Sequence, residues 1–169
     1  EIYIFPYTTL FRSLAVRACA GAAETLLGCF LNLSAVADRI RSRAADVGCV
    51  VLACAGTFED FSMEDALFAG ALVAHLGWQH PIRSLWSSRI GTLENALART
   101  RNGRRLKELG LAEDVAFCAR IDSTPTLGSV DSGPADRNRS ARHPSKAPLP
   151  RCIRPDHGRR CRGRSCRFF

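Results

Sequence analysis

Between residues 14 and 130 the apolar positions fall into blocks with two different spacings. Residues 25–31 (TLLGCFL) and 47–53 (VGCVVLA) are continuous apolar runs of strand length. Strands buried on both faces read this way, as in parallel sheets. Elsewhere the spacing is that of amphipathic helices. Val36 and Ile40 lie four apart in a stretch that Asn32 and Ser34 can cap, which predicts a helix through Arg43. A loop opens at Gly56, and Ser62 then starts a helix running to about Leu76. Residues 18–23 close an earlier helix, loosened by Gly21, and Trp78 and Trp86 anchor a connection. A helix follows at 92–99, then two short ones at 103–109 and 113–120 separated by Gly110, then an irregular or strand-like segment after Asp122. Strand–helix–strand–helix order implies right-handed crossovers and an α/β fold of three layers, α/β/α.

Charge changes the picture at the chain's end. Residues 131–169 carry eleven basic against three acidic side chains, which accounts for the whole net charge of +8. Residues 1–130 balance at zero, so the basic isoelectric point says nothing about partners of the folded part. The tail holds ten Arg, five Pro and no Glu. It buries too little apolar area to offset chain entropy of about 1–2 kcal/mol per residue, so disorder is expected there. Its Arg/Pro/Cys/Gly/Ser mixture also matches an out-of-frame reading of GC-rich DNA. The first thirteen residues (EIYIFPYTTLFRS) are aromatic-rich and resemble translated adapter read-through. Three zones result: a non-native leader at 1–13, a folded region at 14–130, and a disordered tail at 131–169. Cys19, Cys29, Cys49, Cys54 and Cys118 sit in apolar runs, favouring reduced thiols in a cytoplasmic setting. The longest apolar stretch, 14–33, is broken by Arg17 and Glu24 and makes a poor membrane span.

Four blocks in the middle zone carry a resemblance: LLGCFLNLSAVA (26–37), VVLACAGTFEDFSMEDALFAGALV (50–73), ARTRNGRRLKELGLAEDVAFCARID (98–122), and the Pro125 that follows. In order and spacing they resemble the C-terminal half of the 2-phosphosulfolactate phosphatase family. The resemblance implies a Mg²⁺-dependent phosphoric monoester hydrolase converting 2-phospho-3-sulfolactate to 3-sulfolactate and phosphate, a step of coenzyme M biosynthesis. The family's N-terminal half, with its aspartate-bearing strand ends and Thr-Thr-Asn-Gly-Thr segment, has no counterpart here beyond a superficial echo in Thr8 and Thr9. The fold is therefore expected to be a partial sheet of an incomplete domain, with impaired activity and self-association through exposed sheet edges.

Hydrolysing a dianionic phosphate ester requires charge neutralisation and a positioned water, and a Mg²⁺ on one or two carboxylates supplies both. The loop and helix start at 54–65 follow a predicted buried strand, where α/β sheets place ligands. Gly56 lets backbone approach an anion, and helix-start amides near Ser62 can face phosphate. Glu64 and Asp65 are the candidate catalytic and metal-binding acids. Their competing role is helix capping, with Ser62 and Asp65 forming the cap. Glu59 and Asp60 rank behind them, as loop acids that are commonly just solvated. Asn32, at the end of the first apolar run, can bond a substrate oxygen or cap a helix. Arg101 and Asn102 lead a basic cluster with Arg104 and Arg105 that suits phosphate or sulfonate, against the alternative of a solvated helix start. His75 and His80 lack partners at ligand spacing. The tail's Cys152, His157, Cys161 and Cys166 lack the close Cys pair of structural zinc sites. The partner expected is a small phosphorylated, sulfonated acid. The competing class, a nucleic-acid binder using the Arg-rich tail, is disfavoured because aromatics appear only at Phe168 and Phe169.

Overall fold

The computed structural model describes residues 19, 22–46, 49–57 and 60–130. The predicted leader and tail lie outside the described residues, as does Glu59.

The helices follow the apolar periodicity. Helix α1 (Leu33–Arg43) buries Leu33, Val36, Ala37 and Ile40 along one stripe and carries Arg41 and Arg43 in its last turn, where they complement the helix dipole. Helix α2 (Met63–His75) is apolar almost all round, and Ala66, Leu67 and 69–73 are buried. It is the element around which the others pack. Helix α3 (Ile82–Ser87) crosses α2 closely because Gly70 has no side chain: a Cβ there would lie 2.6 Å from the Ile82 carbonyl oxygen. Helices α4 (Leu93–Ala98), α5 (Arg101–Glu108) and α6 (Ala112–Cys118) pack on one another, contributing Leu93, Leu97 and Val115 to the core. Gly110, at φ +76°, makes the left-handed turn between α5 and α6. No helix among the described residues is long and apolar enough to cross a membrane.

Strand β1 (Thr25–Leu27) pairs antiparallel with β2 (Gly128–Val130), Leu26 facing Ser129. Between them runs a strap over the start of α1. The Asp122 amide donates to the Phe30 carbonyl at 3.0 Å, and that of Thr124 to the Leu31 carbonyl at 2.9 Å. Asp122 holds φ at +54°, a conformation that Asp tolerates better than most residues. Its two carboxylate oxygens accept from the Ser34 amide and the Ser34 hydroxyl, each at 2.6 Å. Phe30 enters the core between Phe68, edge-on at 5.7 Å, and Trp86, stacked at 5.8 Å.

Helices and a small sheet together give the mixed α/β composition expected, but the strand details differ. The first apolar run is strand only at Thr25–Leu27; Phe30–Asn32 is a 3₁₀ turn, because Phe30 must leave the strand line to reach the core. The second run forms no named strand among the described residues, and Val51 in it is 45% exposed. The sheet described is antiparallel, not parallel. Of 18–23, where a helix end is expected, Cys19, Ala22 and Ala23 are described, and the Ala22 amide donates to the Cys19 carbonyl at 2.9 Å. The Trp86 connection contains α3, whose six residues are too few for the periodicity to declare. Asn32 occupies the N-cap position of α1 without a side-chain cap bond; the distant Asp122 caps instead.

Candidate functional site

Gly56 stands at φ +74°, a left-handed conformation that turns the chain out of the extended segment before it. Its N–H donates to Asp65 Oδ2 at 2.9 Å. The anion that this backbone approaches is thus the protein's own carboxylate. Thr57 and Asp60 then exchange amide-to-carbonyl bonds of 3.1 Å in both directions, closing a tight turn. Ser62 is buried and caps α2: its Oγ accepts from the Asp65 amide at 3.3 Å and donates to Glu64 Oε2 at 3.1 Å. The capping role weighed for Ser62 and Asp65 is therefore present, and it uses the amide of Asp65, leaving the Asp65 carboxylate to hold Gly56.

Glu64 is the exception to this local satisfaction. Its Oε1 is buried and has no hydrogen-bond partner. An anionic oxygen removed from water without a donor is costly, and a cation or a protonated ligand group would relieve it. Among the described residues no three His, Cys, Asp or Glu side chains gather as a metal-ligand set. The chemistry still fits Mg²⁺, which is commonly held by one or two carboxylates with water and phosphate oxygens completing its shell.

The second wall of the site is the start of α5. Thr100 caps this helix, its Oγ1 accepting from the Gly103 amide at 3.0 Å and donating to the Leu97 carbonyl at 2.7 Å. Gly103 is required there, since a Cβ would collide with the Leu97 carbonyl. Fixed in this way, α5 presents Arg101 and Asn102 to the 57–60 turn. Asn102 Nδ2 donates to Thr57 Oγ1 at 2.9 Å, and Arg101 Nη1 meets Asp60 Oδ2 at 2.7 Å. Of the residues singled out in the sequence, Gly56, Asp65, Arg101 and Asn102 are therefore tied to one loop, and Glu64 lies beside Asp65 at the start of α2, bonded to Ser62.

Asn32 is bound elsewhere. Its Nδ2 donates to the carbonyls of Leu27 (3.2 Å) and Thr126 (2.9 Å), and its Oδ1 accepts from the Cys29 amide at 2.9 Å. The buried carboxamide joins the end of β1 to the strap. His80 accepts the Ile82 amide on Nδ1 at 3.2 Å.

Cys54, just upstream of Gly56, has its thiol pushed up to about 11, first by burial and then by the nearby charge of Asp65. It stays protonated at neutral pH and does not serve as a thiolate nucleophile there. Sequence reasoning did not single out Thr57 and ranked Asp60 behind Glu64 and Asp65. A lone Thr and one acid among four give no periodic or spacing signal, and their roles exist only because α5 comes back to them. Thr100 was not singled out either: the helix expected at 103–109 starts two residues earlier, at Arg101, behind the Thr100 cap.

The 2-phosphosulpholactate phosphatase family model matches residues 7–133, reaching seven residues into the segment read as a leader. A probable 2-phosphosulfolactate phosphatase of Caldanaerobacter subterraneus subsp. tengcongensis is 33% identical over 136 residues, covering 75% of this chain and 55% of that protein. One from Symbiobacterium thermophilum is 30% identical over 137 residues, 75% of this chain and 58% of its own length. The 2-phosphosulfolactate phosphatase of Methanothermobacter thermautotrophicus is 31% identical over 106 residues, covering 60% of this chain and 46% of the relative. The chain spans about half the length of the curated relatives it matches. With three quarters of its residues inside the family model, the chain belongs to the 2-phosphosulfolactate phosphatase family.

Proposed function

We propose that this chain supplies the acid-and-arginine wall of a site that hydrolyses 2-phospho-3-sulfolactate to 3-sulfolactate and phosphate. The observation carrying this reading is the convergence on one loop: Glu64 and Asp65 at the start of α2, and Arg101 and Asn102 at the start of α5. Family membership supplies the substrate class, and the relatives' names are its source.

In this reading Glu64 and Asp65 hold a Mg²⁺, with the buried Glu64 Oε1 as its first attachment point. The ion, when bound, neutralises charge on the phosphate ester. Asp65 fixes Gly56 and so sets the loop's exit from the extended segment. The guanidinium of Arg101 binds phosphate or sulfonate in a fork that matches an oxyanion. Asn102 holds Thr57 and keeps the loop against α5. Asn32 acts through position, by fixing the end of β1.

The proposal assigns the remaining catalytic groups to the half of the family's length that this chain does not span. It likewise assigns to that half the strands that would complete a three-layer α/β/α sheet around residues 49–56. The test is phosphate release from 2-phospho-3-sulfolactate. This chain alone is expected to release none, while the chain fused to the N-terminal half of a relative turns over with Mg²⁺ and stops with a chelator. No release by the fusion under any divalent metal overturns the substrate assignment. Turnover that survives in a Glu64→Gln, Asp65→Asn fusion overturns the metal site.

A further inference from the structure

Arg101 and Asn102 are neighbours on α5, and each ties one end of the same turn. The inner tie, Asn102 to Thr57, ends on a side chain that is 8% exposed. Exchanging it would strand a buried hydroxyl, so it is a structural bond. The outer tie differs. The side chains of Arg101 and Asp60 are 59% and 72% exposed, and they meet in a 2.7 Å ion pair at the surface. Water can take over either partner at little cost, which makes this pair the exchangeable one. Asp60 itself is kept in place when its carboxylate is released, because its amide and carbonyl both bond Thr57.

Resting on the proposed reading that Arg101 receives an oxyanion, we infer that Asp60 is a built-in competitor for that guanidinium. Its carboxylate occupies Arg101 and is exchanged for the substrate's anionic group, while the Asp60 backbone stays bonded to Thr57. A monoanion gains little by displacing a carboxylate of equal charge. A phosphate dianion gains more, so the pair sharpens selection for multiply charged ligands. Asp60 is on this account a specificity-determining residue that acts through Arg101.

The sign of the effect separates this role from a structural one: loss of a merely structural contact weakens ligand binding, whereas loss of a competitor tightens it. The experiment measures inorganic phosphate binding by calorimetry at low ionic strength for the full chain, Asp60→Asn, Asp60→Ser, Arg101→Gln and the Asp60→Asn, Arg101→Gln double variant. Both Asp60 variants are expected to bind phosphate about two- to fivefold more tightly, the range that an exposed ion pair allows. Arg101→Gln binds more weakly, and the Asp60 gain vanishes in the double variant. Asp60 variants that bind phosphate as the parent does, beside a weakened Arg101→Gln, overturn the competitor role and leave the proposed site standing. A gain that persists in the double variant reduces Asp60 to a general negative charge and also overturns it. Unchanged binding in Arg101→Gln removes Arg101 from the site, and the inference falls with that reading.

Discussion

Two apolar stretches of similar sequence are held in different ways. The first, around β1, is gripped on several sides: β2 pairs with it, Asn32 bonds its end, and Phe30 sits between two aromatic rings. The second, residues 49–56, holds no named strand among the described residues, with Val50 and Leu52 partly buried against the core and Val51 exposed. The first is anchored by a paired strand and by side chains together; in the second, Val50 makes a single bridge, and the Gly56–Asp65 bond closes its end. Apolar character draws a segment toward the core, but only a hydrogen-bonding neighbour makes it a strand.

The sharpest way to break this contrast is to truncate one anchor in each stretch. Phe30→Ala should cost about 3–5 kcal/mol, as large buried aromatics do, whereas Val51→Ala should change stability by less than about 0.5 kcal/mol. Urea denaturation of both variants checks this, and comparable losses would mean that the second stretch is as buried as the first.

Next in size is the strap that grips the first stretch. Asp122→Ala removes both bonds to Ser34 and the residue suited to φ +54°, with an expected loss of about 1–2 kcal/mol. Asp122→Asn keeps an acceptor and tolerates the same backbone, so it should lose clearly less. Equal losses in the two variants would show that the carboxylate charge, and not cap geometry, matters.

Smaller still is an alkaline effect confined to the second stretch. The Cys54 thiol is raised in the folded chain from 9.0 to about 11, so the fold favours its neutral form. The stabilisation is complete below pH 9 and is lost as pH rises toward 11. Two pKa units correspond to roughly 2.7 kcal/mol, and partial solvent screening brings the expected loss to about 1 kcal/mol. Denaturation from pH 8 to 11 should show this slope in the parent and a flatter one in Cys54→Ala. Thiol labelling at pH 8, mapped by mass spectrometry, should modify the exposed Cys49 well before Cys54. Equal rates would place both cysteines in the same environment.

The helices were largely legible because their evidence is local. The apolar stripe of α1, the Ser62 cap of α2 and the glycine between α5 and α6 each lie within a few residues of the structure they cause. The sheet was legible only as apolar content. Residues 25–31 and 47–53 look alike in sequence, and the strap about a hundred residues on is what pairs with the first. The same division runs through the site. Residue types and spacing marked Gly56, Glu64, Asp65, Arg101 and Asn102, since acids after a predicted strand and arginines at a helix start carry recognisable chemistry.

By itself, then, the order of residues determined where the helices other than α3 run, which family the chain resembles, and which side chains have the chemistry for a phosphate. The tertiary structure alone decided that Asp65 holds Gly56, that Asp60 faces Arg101, that Asn32 clamps the strap and that Asp122 caps α1. The physical reason is distance along the chain. A helix closes its hydrogen bonds four residues away and its pattern repeats within one segment, whereas a bond from residue 122 to residue 34, or from 101 to 60, depends on how every intervening element packs.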